Sequence, residues 1–287
     1  MPDQKTIIIY HGDCPDGFGG AFAAWKKFGD TAQYVPIRDR TILPPDVDFA
    51  GATVYMIDIM FDEAPLLKQL TDVAESAIGL DHHKTNKDLV QSLPGSVYTE
   101  EHSGCVIAWQ YFFPETPTPV LLQYIEQGDL WKTDLPRTID IKSALYTYPM
   151  DFMVWDHLMV ECEDADKLAA LAEKGKIFAE YHHHLVEGAA KKAELVEFEG
   201  YQVMAVNASS ALRSDLGNLL AERHGPFAIV WYVQNGWMNI SLRGKGEVDV
   251  SELASRYGDG GGHHNAAGFR FDMGAKFPWS ASGRSVK

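Results

Sequence analysis

The chain has 287 residues, long for one domain and comfortable for two. Hydrophobic residues at 46% and charged residues at 23% are ordinary for a globular protein, and they exclude a disordered chain, a collagen-like repeat and a disulfide scaffold. With 40 Asp plus Glu against 25 Lys plus Arg, the formal charge of −15 disfavours long nucleic acid and anionic membranes, but not a small anion held through bound cations.

The first residues lead into an apolar run of four, Ile7 to Tyr10, too short for the core of a signal peptide. No window approaches the roughly 18 apolar residues of a membrane span. After that run come His11, Asp13 and Asp16. A second run, Val54 to Ile57, is followed by Asp58, and a third, Ala77 to Leu80, by Asp81, His82 and His83. Each run is apolar on both faces, as a buried parallel strand must be. Gly17 to Phe28 and Glu63 to Glu75 supply the intervening helices, so the first third reads as a βαβ alternation. In such sheets ligands bind beyond the carboxyl ends of the strands, which gathers these seven ionisable residues at one edge.

From Ser103 to Ala190 the chain reads as mainly helical, with Asp129 after the apolar spacing of Leu121 to Ile125, and one long helix from Ala165 to Ala193. A strand-rich region begins at Tyr201 and holds runs at 201–206, 228–233 and 238–242, with a helix over Ser214 to His224. It closes on a glycine-rich loop, Gly260 to Gly268. The Ser/Gly/Lys-rich end from Gly274 reads as a frayed tail. The boundary falls near residue 195. Cys14, Cys105 and Cys162 form no CxxC pair, which argues against disulfides and structural zinc and fits a reducing cytoplasm.

Carboxylates mixed with imidazoles, without thiolate, suit a borderline-hard divalent ion: Mn²⁺ first, then Mg²⁺, Co²⁺ or Zn²⁺. The ligands are too many for one ion. Two ions about 3.5–4 Å apart, sharing a bridging carboxylate and a water, account for the number. Such a pair lowers the pKa of the water, supplies hydroxide and balances charge on a phosphorus centre during in-line attack. Asp81 or His83 stands ready to orient His82.

Asp81-His82-His83 follows an apolar strand, His11-Gly-Asp-Cys-Pro-Asp16-Gly17 follows the first strand, and Asp58 ends the second. Asp129 lies in Gly-Asp-Leu-Trp, and Gly260-Gly-Gly-His263-His-Asn-Ala-Ala-Gly268 comes near the end. In this order, over residues 7–269, the motifs make the chain resemble the DHH phosphoesterase superfamily, in its RecJ and nanoRNase branch, and the last motif is similar to the signature of the associated DHHA1 domain. The resemblance implies an α/β protein: an N-terminal doubly wound, mainly parallel DHH domain (1–160), a helical connector (161–194), a smaller α/β DHHA1 domain (195–273) and a tail (274–287). It implies two Mn²⁺ ions, with Mg²⁺ or Co²⁺ as substitutes, held by His11, Asp16, Asp58, His82 and Asp129. Asp58 would bridge them, with Asp13 a further ligand. The first motif is spaced HxDxxDG rather than HxDxDG or HxxxDxD, so which of Asp13 and Asp16 takes which role stays open. The catalytic pair would be His83, on the scissile phosphate, and Asp81. Arg243 matches a position that grips a terminal phosphate, and Gly261, Gly262 and His263 would approach the same anion.

The function implied is a metal-dependent phosphodiesterase that hydrolyses short oligonucleotides or dinucleotides by attack of a metal-bridged hydroxide, in a cleft between the two domains. Its partners would be a small nucleotide or short oligonucleotide, with no long nucleic acid and no membrane; a homodimer is compatible. The alternatives are a phosphomonoesterase or pyrophosphatase acting on small compounds such as 3′-phosphoadenosine 5′-phosphate, and a non-catalytic nucleotide-binding module. Other residues read more simply. His182, His183 and His184 point 100° apart on a helix and form a solvated face, Trp131 and Trp155 are core or lining, and Cys14 is packing.

Overall fold

The structure, a computed structural model, describes residues 5–281 apart from 13, 62–63, 131, 133 and 259, and not the side chains of His263 and Ala281. The chain divides into two compact units, Met1–Ala179 and Glu180–Lys287.

The first unit opens with β1 (Thr6–His11), α1 (Pro15–Phe28), β2 (Gln33–Ile37), β3 (Thr53–Ile57), α2 (Ala64–Val73), β4 (Ser76–Asp81), α3 (Lys87–Gln91) and β5 (Val97–Tyr98). Helices follow: α4 (Gly104–Phe112), α5 (Val120–Asp129), α6 (Thr138–Leu145), α7 (Phe152–Cys162) and α8 (Ala165–Ala190), the last running into the second unit. The sheet order is β2-β1-β3-β4-β5 and every pairing is parallel. Alternate residues of β1 face opposite sides. Ile7 and Ile9 join a core with Leu67 and Leu70 of α2 and Val90 of α3. Ile8 and Tyr10 join a core with Phe18 and Phe22 of α1 and Val106 of α4. Both faces are covered, which is why these strands read as unbroken apolar runs.

The strand order sets where a ligand can sit. From β1 the chain moves to β2 on one side, then to β3 on the other. In open parallel sheets the crevice forms outside the carboxyl ends at this reversal. His11 ends β1 and Asp58 follows β3, so the reversal is flanked by an imidazole and a carboxylate. β2 goes beyond the expectation from sequence, since Gln33 and Pro36 weaken its strand pattern. It is an edge strand, where a proline is tolerated because one side of the backbone needs no partner.

The second unit contains β6 (Glu194–Phe198), β7 (Tyr201–Asn207), α9 (Arg213–His224), β8 (Phe227–Gln234), β9 (Trp237–Gly244), α10 (Val250–Ala254), β10 (Gly261–His263), β11 (Ala266–Asp272) and β12 (Ser280–Ala281). Their order is β10-β11-β9-β8-β7-β6-β12, parallel only between β7 and β8. Two expectations are corrected here. The glycine-rich segment is not a loop but an antiparallel pair, β10 with β11. Part of the end expected to fray, as far as Ala281, returns to the sheet, where Ser280 pairs with Glu197 and Trp279 packs on the core that contains Phe198; residues 282–287 lie outside the described residues. No helix among the described residues is long and apolar enough to cross a membrane.

The central position of β1 gives a contrast that denaturation can read. Ile8 is fully buried, whereas Ile42 is 54% exposed. Ile8→Ala is expected to remove about 2–5 kcal/mol of stability through lost transfer energy and the cavity left behind. Ile42→Ala is expected to stay within about 0.5 kcal/mol. Urea midpoints at unchanged m-value check both; equal shifts would contradict this placement of the core.

Candidate metal centre

Asp58 is the hub. Its backbone has φ +60°, in the left-handed region that few residues other than Gly, Asn and Asp adopt. Its N–H still donates to Leu80 O at 2.9 Å, which ties the turn to β4. The two carboxylate oxygens face different histidines. Oδ2 lies 3.3 Å from His11 Nδ1, and Oδ1 lies 3.2 Å from His82 Nε2. Asp129, ending α5, brings Oδ2 to 3.4 Å from His82 Nε2, and Asp16 brings Oδ2 to 3.8 Å from the same nitrogen.

Asp16 sits in the first turn of α1 after Pro15 and is almost wholly buried. Its Oδ1 accepts from Ser103 Oγ (2.6 Å) and from the Cys105 N–H (3.0 Å), and its Oδ2 accepts from the Gly104 N–H (2.7 Å). It thus caps the N-terminus of α4 from another element, where the helix dipole favours a negative charge. Glycine is required at 104. A Cβ there would stand 2.6 Å from Asp58 Cβ and 3.0 Å from Asp16 Oδ2.

Asp81 is also fully buried, and both its oxygens are engaged. Oδ1 accepts from the backbone N–H of His82 (2.6 Å) and His83 (2.9 Å) and from His83 Nδ1 (2.8 Å). Oδ2 accepts from Asn86 Nδ2 at 2.6 Å. Arg40 in turn donates to Asn86 Oδ1 (2.9 Å) and to Met60 O (2.9 Å). Asp81 is therefore a positioning residue, and the ring it fixes is His83, not His82. Sequence reading missed Asn86, Arg40 and Ser103, whose parts in the site come only from contacts far along the chain. Ser103-Gly104 before an apolar run was the one available signal, as a helix start.

The described residues form three groups whose ligand atoms lie within 4.8 Å of one another: His11, Cys14 and Asp58; Asp16, His82 and Asp129; and Asp58, Asp81, His82 and His83. Cis ligands of an octahedral ion with bonds near 2.1 Å are about 3 Å apart, close to the separations around His82. The donor set therefore fits a divalent cation of the oxygen- and nitrogen-binding kind. Asp13 lies outside the described residues, as does Trp131.

Electrostatics points the same way. Burial, then the charges of Asp58 and Asp129, raise the Asp16 carboxyl to about 8 despite its hydrogen bonds from Ser103 and Cys105. Burial also opposes ionisation of Asp58, but the hydrogen bonds with His11 and His82 and the charge of His83 outweigh it and hold Asp58 well below the usual range. Burial, then Asp58, raises Asp129. Burial lowers His82, but bonding to Asp58 and the charges of Asp58, Asp16 and Asp129 carry it up to about 9. Burial, with Asp58 and Asp16, pushes the Cys14 thiol far above its ordinary value, consistent with packing. Without cations, protons must supply the missing positive charge.

In the second unit, Arg243 is half-buried and donates through Nη1 to Leu242 O (2.9 Å) and through Nη2 to Ser214 Oγ (3.2 Å). Strand register places Arg243 opposite Ala266, and Ala266 opposite His263, so the three occupy one cross-strand row beside Gly261 and Gly262. The His263 side chain is outside the described set. His182 pairs with Asp215 (2.7 Å) and His183 faces Glu187 (3.8 Å), so these histidines serve separate surface partners.

Comparison with known proteins agrees. The DHHA1 domain family matches residues 200–278. The chain is 31% identical over 300 aligned residues to the uncharacterized protein R106 of Acanthamoeba polyphaga mimivirus, covering 94% of this chain and 68% of that one. Among solved structures, the DHH domain of a member of a ribosomal-protein family matches with TM-score 0.62 at 12% identity, over 94% of this chain and 83% of that one. RecJ of Thermus thermophilus in complex with Mn²⁺ matches with TM-score 0.52 at 16% identity, over 93% of this chain and 50% of that one. At such identities the likeness speaks for the fold. The chain belongs to the DHH phosphoesterase superfamily.

These charges make stability depend on pH in a defined direction. Folded, Asp16 keeps its proton up to about 8, against an ordinary 3.8, and His82 keeps its proton up to about 9, against an ordinary 6.5. Between about pH 6.5 and 8 the metal-free folded chain therefore binds more protons than the unfolded chain, and its stability falls as pH rises. A divalent cation bound there would replace those protons, so added Mn²⁺ should raise the melting temperature and the gain should grow with pH. Thermal scans at several pH values after chelation and after Mn²⁺ addition check this; a gain independent of pH would contradict it.

Proposed function

We propose that the chain is a divalent-metal-dependent phosphodiesterase for short oligonucleotides or dinucleotides, with Mn²⁺ as the preferred ion. The observation that carries this reading is Asp58, whose two oxygens face His11 on one side and His82 on the other, at the reversal point of the sheet. A carboxylate so placed suits two cations rather than one. His11 and Asp58 would hold one ion, with Asp13 as an added ligand. Asp58, His82, Asp129 and Asp16 would hold the other. Two such ions, when bound, supply Lewis acidity toward the phosphoryl oxygens and toward an attacking water near neutral pH.

The chain's own groups do the rest. Asp81 accepts from His83 Nδ1 and so directs the opposite ring nitrogen away from itself. Burial lowers the His83 pKa, but the bond to Asp81 and the charges of Asp58 and Asp81 raise it overall. The ring is then well suited to donate a hydrogen bond from Nε2 to a non-bridging oxygen of the scissile phosphate. Asn86 and Arg40 hold Asp81 in place, so the donor does not reorganise during reaction. Arg243, with Gly261, Gly262 and His263 in neighbouring strand positions, would grip a terminal phosphate. The net charge of −15 opposes long polyanions and leaves short ones that the cations can neutralise.

The test is release of mononucleotide from a 5′-phosphorylated dinucleotide. Activity should vanish with chelator, return with Mn²⁺, and vanish in Asp58→Ala. Arg243→Ala should lower kcat/KM about ten- to hundred-fold for the phosphorylated dinucleotide, the loss of one charge-assisted contact, and lower it less for the unphosphorylated one. Turnover in rigorously metal-free protein would refute the metal dependence. Equal losses on the two substrates would refute the role of Arg243.

A further inference from the structure

The metal centre has a neighbour that the phosphate chemistry leaves unused. A cavity of about 170 Å³ lies between the head of α1 and helices α5 and α6, with Asp16 and Asp129 at one end. Its walls include Pro15, Ile125 and Leu145, and it also carries two rings, Tyr124 and Tyr146. The Tyr124 hydroxyl already donates to Pro136 O at 2.9 Å, so this tyrosine offers the cavity mainly its ring. Tyr146 is 62% exposed and stands at the mouth.

One cation is built into this wall. The stem of Lys142 lies in the notch left by Gly128, where a Cβ would stand 2.8 Å from Lys142 Cδ. Lys142 Nζ donates to Gly128 O at 3.2 Å. Gly128 precedes Asp129, on which the Lys142 charge also acts, so the ammonium lies near the carboxylates of the site, and both rings line the same cavity. A bare phosphate or pyrophosphate would use the ammonium and gain nothing from rings and aliphatic walls. An organic ring attached to a phosphate would use both. In size the cavity is near the roughly 150 Å³ that accepts a single benzene ring, and it falls below the range of about 300–1,000 Å³ usual for drug-sized ligands.

We propose that this cavity receives one nucleobase, that of the nucleotide whose phosphate sits at the metal centre, and that Lys142 meets an oxygen of that phosphate. The inference rests on the phosphodiesterase reading and deepens it by assigning the base its place: Tyr146 stacks on it. A stacked base contributes about 1–3 kcal/mol, which corresponds to roughly five- to 150-fold in affinity.

The experiment is calorimetric titration of the Mn²⁺-loaded full chain with AMP and, separately, with inorganic phosphate. AMP should bind at least about fivefold more tightly. Tyr146→Ala should remove most of that advantage and leave phosphate affinity within about twofold, whereas Tyr146→Phe should retain it. Lys142→Met should weaken both ligands alike. AMP binding no tighter than phosphate, or an advantage unchanged in Tyr146→Ala, would overturn the proposal. The titration needs no turnover. A chain that shows the AMP pattern but cleaves no dinucleotide upholds the cavity and refutes the function, and a chain that cleaves without the pattern does the reverse.

Discussion

Four carboxylates, those of Asp16, Asp58, Asp81 and Asp129, converge where the strands of the first unit end, and three of them are almost completely buried. Like charges so close in a low-dielectric setting repel far more strongly than in water. Much of the local architecture answers that repulsion. Asp81 is neutralised by two backbone amides, an imidazole and an amide side chain. Asp16 is met by the amides that begin α4 and by the Ser103 hydroxyl. Asp58 is held ionised by His11, His82 and His83, whereas burial and the charge of Asp58 leave Asp129 raised. The proposed cations would complete the set.

This constraint explains features that packing alone would not require. Glycine stands at 104 because α4 must bring its N-terminus against both Asp16 and Asp58. Asp58 adopts a left-handed backbone so that its carboxylate lies between two strand ends rather than continuing β3. Strain of this kind, of order 1–3 kcal/mol, persists where the surroundings over-determine it. The second unit solves a different problem. Its β9–β11–β10 register sets an arginine, an alanine and a histidine in one row without any buried acid among them, a suitable frame for an anion.

Much of this was legible in the sequence, and the reason is physical. Ile7–Tyr10, Val54–Ile57 and Ala77–Leu80 are buried on both faces, so their strands declared themselves, and ionisable residues directly after apolar strands had to lie at one edge. Asp129 was found by the motif it sits in. What stayed hidden depends on tertiary context. β2, whose strand pattern Pro36 weakens, was not read from the sequence; it lies at the sheet edge, where proline is tolerated. Gly260–Gly268 looked like a loop, yet Gly261 to His263 pair as β10, where Gly262 has φ +144° and an added Cβ would stand 2.6 Å from Ala266 O. Asn86 and Arg40 carry no local pattern; their part comes from Asn86 meeting Asp81, 5 residues earlier, and from Arg40 reaching Asn86 across 46 residues. Lys142 was invisible for the same reason, since its place is set by a notch at Gly128.

The central claim is that Asp58 stands between two cations. Crystals of the full chain equilibrated with Mn²⁺ and measured at the manganese absorption edge would test it directly. Two anomalous peaks roughly 3.5–4 Å apart, one between Asp58 and His11 and the other between Asp58 and His82 with Asp129, are the expected result. A single peak, or two peaks that Asp58 does not separate, would contradict the account.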